Sequence, residues 1–225
     1  MKEKEVPWLR ASLAELGAVF FFVGGSLFLF SQGAAAEGSR AAASFLSGFL
    51  YMAAVYGVAH ISGAQLHPAL TLTLWVTHRL SFGRMAALMG GQFLGAGAAW
   101  LLVRTLEHPG PEAWGFFLPE KEAAGGTLLL GMGFFTFFLT FSYYATLLDG
   151  RAAPGIFGLT LGAVMAAGAF LGFPLHPGEA VALQALAQDF SQWWALSLGS
   201  LLGALLGGLL YEGLLDRRGE SHPLP

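Results

Sequence analysis

The stretch Gly63-Ala64-Gln65-Leu66-His67-Pro68-Ala69 returns 109 residues later as Gly172-Phe173-Pro174-Leu175-His176-Pro177-Gly178. Both read G-x-x-L-H-P, and a short apolar run follows each, at 70–75 and 180–186. Proline suits the first turn of a helix, where its missing N–H costs nothing. Each His-Pro therefore predicts the start of a short helix with irregular chain before it. About ten residues of helix cannot cross a bilayer, which needs about 20. Bare carbonyls before such a helix are tolerated at membrane depth only if they line a water-filled cavity or are buried in protein.

The flanking sequence supplies the membrane. The chain has 225 residues, of which 11% are charged, against about 25% in an ordinary soluble domain. Mean hydropathy is +0.62. Apolar stretches predict spans near 11–31, 41–61, 85–104, 125–148, 153–172 and 192–215. Lys2, Lys4 and Arg10 followed by an apolar run and Ala34-Ala35-Ala36 imitate a secretory signal. A signal core is about 7–15 residues long, and this run is longer with Glu15 inside it, so a first span is expected.

Gly91-Gln92-Phe93-Leu94-Gly95-Ala96 pairs with Gly199-Ser200-Leu201-Leu202-Gly203-Ala204, 108 residues on. The chain reads as a single transmembrane domain over 1–225 with half-repeats at about 11–104 and 125–215. Three spans per half is odd, so the halves take opposite topologies, and inverted repeats with interrupted helices mark transport proteins. Two half-helices entering from opposite faces meet N-terminus to N-terminus, and both positive dipole ends oppose cations there. Eight of the 11 Lys and Arg fall on the side that bears both termini, which places the termini in the cytoplasm. A net charge of −3 gives no basic face for nucleic acid. No cysteine is present, which excludes disulfides and thiolate metal sites.

These residues resemble the aquaporin, or major intrinsic protein, superfamily. Ala14-Glu15-Leu16-Gly17 is similar to the A-E-x-x-G opening of that family's first helix, and residues 60–71 are similar to its H-I-S-G-A-H-x-N-P-A-V-T. Gly91-Gln92-Phe93-Leu94-Gly95-Ala96 resembles its third-helix segment, and Trp194 and Gly199 fall where the sixth helix has W and G. The resemblance covers 11–215 and implies an all-α right-handed bundle of six transmembrane helices plus two re-entrant half-helices. It further implies a homotetramer in the cell membrane with one pore per subunit, passive conduction of water or small neutral solutes, no cofactor and no enzyme chemistry. The pore motifs would be His67, Pro68, Ala69 and His176, Pro177, Gly178. Pore-lining backbone would come from Gly63, Ala64, Gln65 and Gly172, with Glu15 a structural buried acid accepting N–H groups from the first loop.

The chain departs from the family at the motif centres. Histidine replaces both motif asparagines. Glu179 stands where the family has its filter arginine, Ser47 and Val164 occupy the filter positions of spans two and five, and Phe173 is counted with them. Met132 stands near the usual fourth-helix glutamate and Ala180 where glycerol channels carry an acid. A neutral imidazole has one donor and one acceptor, so its acceptor can cap its own half-helix and leave N–H aimed at the pore. The small residues at the filter imply a mouth wide enough for small polyols or urea. Glu179 has two readings: a capping-box residue on its own half-helix, or a negative mouth that turns the pore toward cations or protons. A closed, structural membrane protein is a further alternative. His67, His176 and Glu179 are of types that suit zinc, but their spacing does not support a metal site and none is expected.

Overall fold

The computed structural model describes residues 7–33, 39–106, 114, 118, 125–148 and 155–215. In chain order the helices are α1 (Trp8–Gly33), α2 (Ser39–Ser62), α3 (Pro68–Val76), α4 (Phe82–Leu106), α5 (Gly125–Tyr143), α6 (Ile156–Phe170), α7 (Pro177–Ala187) and α8 (Trp193–Leu210). Single π-helical turns, Tyr144–Leu148 and Tyr211–Leu215, extend α5 and α8. Helices α1, α2, α4, α5 and α8 are each long and apolar enough to cross a membrane. The fifth span is shorter than the 153–172 expected. Helix α6 has 15 residues, about 22 Å of rise. It ends because the Phe173 N–H turns back to the Gly168 carbonyl at 2.9 Å while Gly172 takes φ 82°, a left-handed value that favours glycine. Residues 151–154 lie outside the described segments.

The polarity is inverted relative to a soluble domain. Leu130, Phe134, Leu202 and Leu206 are exposed on the outside, while Glu15, Gln92, His67, His176 and Glu179 are buried. Lipid accepts the first set, and the second set can only serve or line an interior.

Backbones approach closely along two matching seams. Gly91 and Gly95 of α4 lie against the Ser12 and Leu16 carbonyls of α1; Gly199 and Gly203 of α8 lie against the Leu129 and Gly133 carbonyls of α5. A side chain at these four positions would push the helices apart. The seams share one register, and that register makes Met132 of α5 the counterpart of Glu15 in α1.

The two short helices fill the interior. α3 packs on α4 and α8, and α7 on α4, α8 and α1. At the far end of α3, the Thr77 hydroxyl bonds the Tyr144 hydroxyl at 2.6 Å, and Arg79 grips Glu212 through two bonds of 2.7 and 3.0 Å. The α3 C-terminal end is thereby tied to α5 and α8.

Candidate pore site

The first re-entrant loop is held by one carboxyl group. Ala64 and Leu66 have φ of 47° and 51°, left-handed values that cost a non-glycine residue about 1 kcal/mol or more each. Glu15 compensates by accepting the Gln65 N–H at 3.1 Å, the Leu66 N–H at 2.7 Å, the Ser62 hydroxyl at 2.5 Å and the Gln92 amide at 2.7 Å. Gln92 also donates to the Thr71 hydroxyl at 2.9 Å, and that hydroxyl donates to the His67 carbonyl at 3.1 Å. Tyr143 from α5 fixes the loop from the other side, donating to the Gly63 carbonyl at 2.6 Å. The Gly63 carbonyl is thus taken up by the protein.

The second loop lacks this network. Met132 occupies the Glu15 position, Ser200 that of Gln92 and Ala180 that of Thr71. Pro174, the counterpart of Gln65, has no N–H to offer. One of the two backbone donors that Glu15 serves is therefore gone where the acid is gone, and the buried Ser200 hydroxyl has no partner.

The two motif histidines close on each other. His67 and His176 are the N-caps of α3 and α7: Nδ1 of His67 accepts the Leu70 N–H at 3.5 Å, and Nδ1 of His176 accepts the Gly178 and Glu179 N–H groups at 3.1 and 3.3 Å. With Nδ1 accepting, Nε2 carries the hydrogen. His67 Nε2 donates to the Leu175 carbonyl at 2.9 Å, and His176 Nε2 donates to the Leu66 carbonyl at 2.6 Å. Each histidine thus reaches across to the residue preceding the other. The N–H expected to point at the pore is instead spent on the opposite loop, because an imidazole extends farther than an amide. Both rings are wholly buried, and both nitrogens of each are engaged, which leaves no lone pair for a metal.

Gly178 explains the eroded second motif. A Cβ there would stand 2.5 Å from the Ala96 Cβ of α4, so α7 approaches α4 too closely for the alanine found at that place in the first motif.

Among the described residues Glu179 makes no hydrogen bond to the backbone of its own helix: the Gly178 and Glu179 N–H groups are taken by His176, and its Oε1 has no partner. Its carboxyl lies against the Ser26 hydroxyl of α1, and Ser26 bonds Ser47 of α2 at 2.8 Å. The structure therefore brings Ser47 and Glu179 together through Ser26, a residue the sequence reading missed. Its only signal was a serine in an apolar span, one turn beyond Phe22. Val164 is half-buried and packs on the core. Phe173 corrects the filter assignment: its ring covers Gly131, lies tilted at 38° to Phe135 with centroids 5.9 Å apart, and lines an outward apolar groove between α5 and α8 with Phe134 and Leu202. Gly131 leaves room for the ring there, and Pro174 after it turns the chain inward. Gly172 lies in the turn that ends α6.

Six-span bundles with two interior half-helices joined at their N-termini define a class of membrane channel. A profile of the major intrinsic protein family matches residues 2–211, and the chain belongs to that family. It is 33% identical over 233 residues to a probable aquaporin TIP3-2 of Oryza sativa subsp. japonica, covering 94% of this chain and 83% of the relative. It is 34% identical over 174 residues to aquaporin TIP4-4 of Zea mays, covering 74% of this chain and 68% of that protein. The fold matches the X-ray structure of the aquaglyceroporin from Plasmodium falciparum with a TM-score of 0.78, over 93% of this chain and 97% of that one, at 14% identity.

Proposed function

We propose that the protein is a passive transmembrane channel for water and small neutral solutes, with one pore in each subunit of a homotetramer. The observation that carries this reading is the meeting of α3 and α7, N-terminus to N-terminus, inside the bundle. Helix N-termini present positive dipole ends, which disfavour cations while leaving neutral molecules unaffected. The proposed pore motifs are His67-Pro68-Ala69 and His176-Pro177-Gly178. Ser47, Val164 and Glu179 are proposed for the outer constriction, with Ser26 added and Phe173 withdrawn. The Lys and Arg distribution supports a cell-membrane orientation with both termini cytoplasmic.

In the conformation described neither histidine has any exposed surface, which supports a closed centre. Conduction requires that the His67–Leu175 and His176–Leu66 bonds part, which frees two donors and two carbonyls for the passing molecule. The test is purified protein in liposomes, with shrinkage followed by light scattering under water, glycerol and salt gradients. Faster shrinkage than in protein-free liposomes under an osmotic gradient is the expected result, and rates equal to protein-free liposomes for every solute would reject the channel.

A further inference from the structure

Three carbonyls of the first loop are taken by side chains from three different elements. Tyr143 of α5 donates to the Gly63 carbonyl at 2.6 Å, Tyr51 of α2 reaches the Gln65 carbonyl at 3.4 Å, and His176 at the start of α7 donates to the Leu66 carbonyl at 2.6 Å. The Gln65 amide in turn lies 3.4 Å from the Tyr143 oxygen. In the second loop only the Leu175 carbonyl meets a side-chain donor among the described residues, from His67. This difference between the halves has a cause in the sequence. The register that pairs Glu15 with Met132 pairs Ser26 with Tyr143, so a phenol stands in one half where a hydroxymethyl group stands in the other. Tyr51 lies one turn along α2 from Ser47, on the same helix face. Both phenol rings are wholly buried. Behind Tyr143 stands Tyr144, with ring centroids 6.4 Å apart, and Tyr144 is itself held by the Thr77 hydroxyl at 2.6 Å. Phe22 packs edge to face on Tyr51 with centroids 5.0 Å apart.

We propose that Tyr143 and Tyr51 form the size-limiting constriction of the channel, on the first-loop side of the histidine pair, and that it passes water in preference to three-carbon polyols. This rests on the channel reading above and deepens it. Ser26 and Ser47 leave the outer mouth lined by small side chains, so solute size is judged at the tyrosines. Helix α2 packs on α1 and α6, and α5 on α6 and α8, so the two phenols close on the loop from separate walls. A single water can open a phenol–carbonyl bond by accepting from the phenol and donating to the carbonyl. Insertion needs the phenol to withdraw by about 2.8 Å, the length of one O–H···O bond. Every polar group stays partnered during that exchange, which avoids the cost of a stripped buried donor or acceptor. Glycerol instead needs the ring itself to move aside. Tyr144 and Phe22 back the two rings, and a close-packed interior resists such displacement.

The full chain in liposomes tests this through the ratio of glycerol to water permeability, both read by stopped-flow light scattering on one preparation. The parent should pass water well ahead of glycerol. Tyr143→Ser, which installs the residue of the opposite half, should raise the ratio about tenfold, the low end of the discrimination that a close-fitting pocket exerts against one misfitting group. Tyr143→Phe removes the hydroxyl and keeps the ring, so its ratio should stay near the parent's. An unchanged ratio in Tyr143→Ser, with water still passing, overturns the proposal and leaves the channel reading intact. So does a parent that passes glycerol as readily as water, or a ratio that Tyr143→Phe raises as far as Tyr143→Ser. If Tyr143→Ser does not reconstitute, Tyr51→Ser opens the other wall and is read in the same way. Permeation of neither water nor glycerol by the parent or any variant overturns both readings.

Discussion

His67 and His176 stand edge to face with ring centroids 5.6 Å apart and planes at 78°, and each donates its Nε2–H to the carbonyl preceding the other. The two half-helices are therefore tied together twice, across an approximate two-fold relation. In one stroke the tie satisfies two loop carbonyls and removes them from any water path.

Shortening either side chain should release it. His67→Asn keeps a good N-cap for α3 but cannot span to Leu175. Water permeability measured by stopped-flow light scattering should rise about fivefold, the population change equivalent to one net hydrogen bond of about 1 kcal/mol. In the double variant with His176→Asn the two effects should not add, because both residues guard one junction. An unchanged rate in all three variants would place the constriction elsewhere.

Glu15→Gln puts an NH₂ donor where four donors converge on the carboxyl group. At least one of the Gln65, Leu66, Ser62 or Gln92 donors then loses its acceptor, and the left-handed Ala64 and Leu66 lose part of their support. The expected cost is about 3 kcal/mol, read as a lower Tm of the detergent-solubilised protein. A Tm equal to the parent's would mean that the loop is held by its other bonds, to Tyr143, Tyr51 and Ser62, without Glu15.

The second loop should respond in the opposite sense. Met132→Glu buries a carboxyl with too few donors and should cost several kcal/mol. Adding Pro174→Gln restores one N–H at the place where Glu15 finds one in the first half, so the double variant should be less destabilised than the sum of the singles. Strict additivity in Tm would show that the two positions do not meet.

Gly178→Ala restores the alanine of the first motif but drives a methyl into Ala96. Overpacking of this kind costs about 1–3 kcal/mol. Ala96→Gly in the same chain should recover most of the loss despite its own cost in α4, of about 1 kcal/mol. By contrast, Gly97 has open space around its Cβ position, and Gly97→Ala should raise the Tm slightly through helix propensity.

The bilayer makes much of this fold legible in one dimension. Apolar length, the clustering of charge and the two His-Pro interruptions are local properties of the chain, and they placed the half-helix starts at Pro68 and Pro177 and Glu15 inside a span, while its role as an acceptor for the first loop came from the family resemblance. The shorter α6 escaped notice because apolar residues continue past Phe170 while the helix does not; the Gly172 turn decides its end. The site was less legible. His67 and His176 were visible as caps, but the destination of their Nε2–H groups depends on carbonyls 108 and 110 residues away, and no spacing rule carries such a contact. Ser26 meets Ser47 and Glu179 only after α1, α2 and α7 pack together. Phe173 turned outward because Gly131 leaves room for its ring on a helix far away in sequence. Membrane burial, half-helix position and the loss of the second acid follow from the sequence alone. Which donors meet which acceptors, and hence whether the centre is open or tied shut, is decided only by the tertiary structure, because hydrogen bonds are short-ranged and directional.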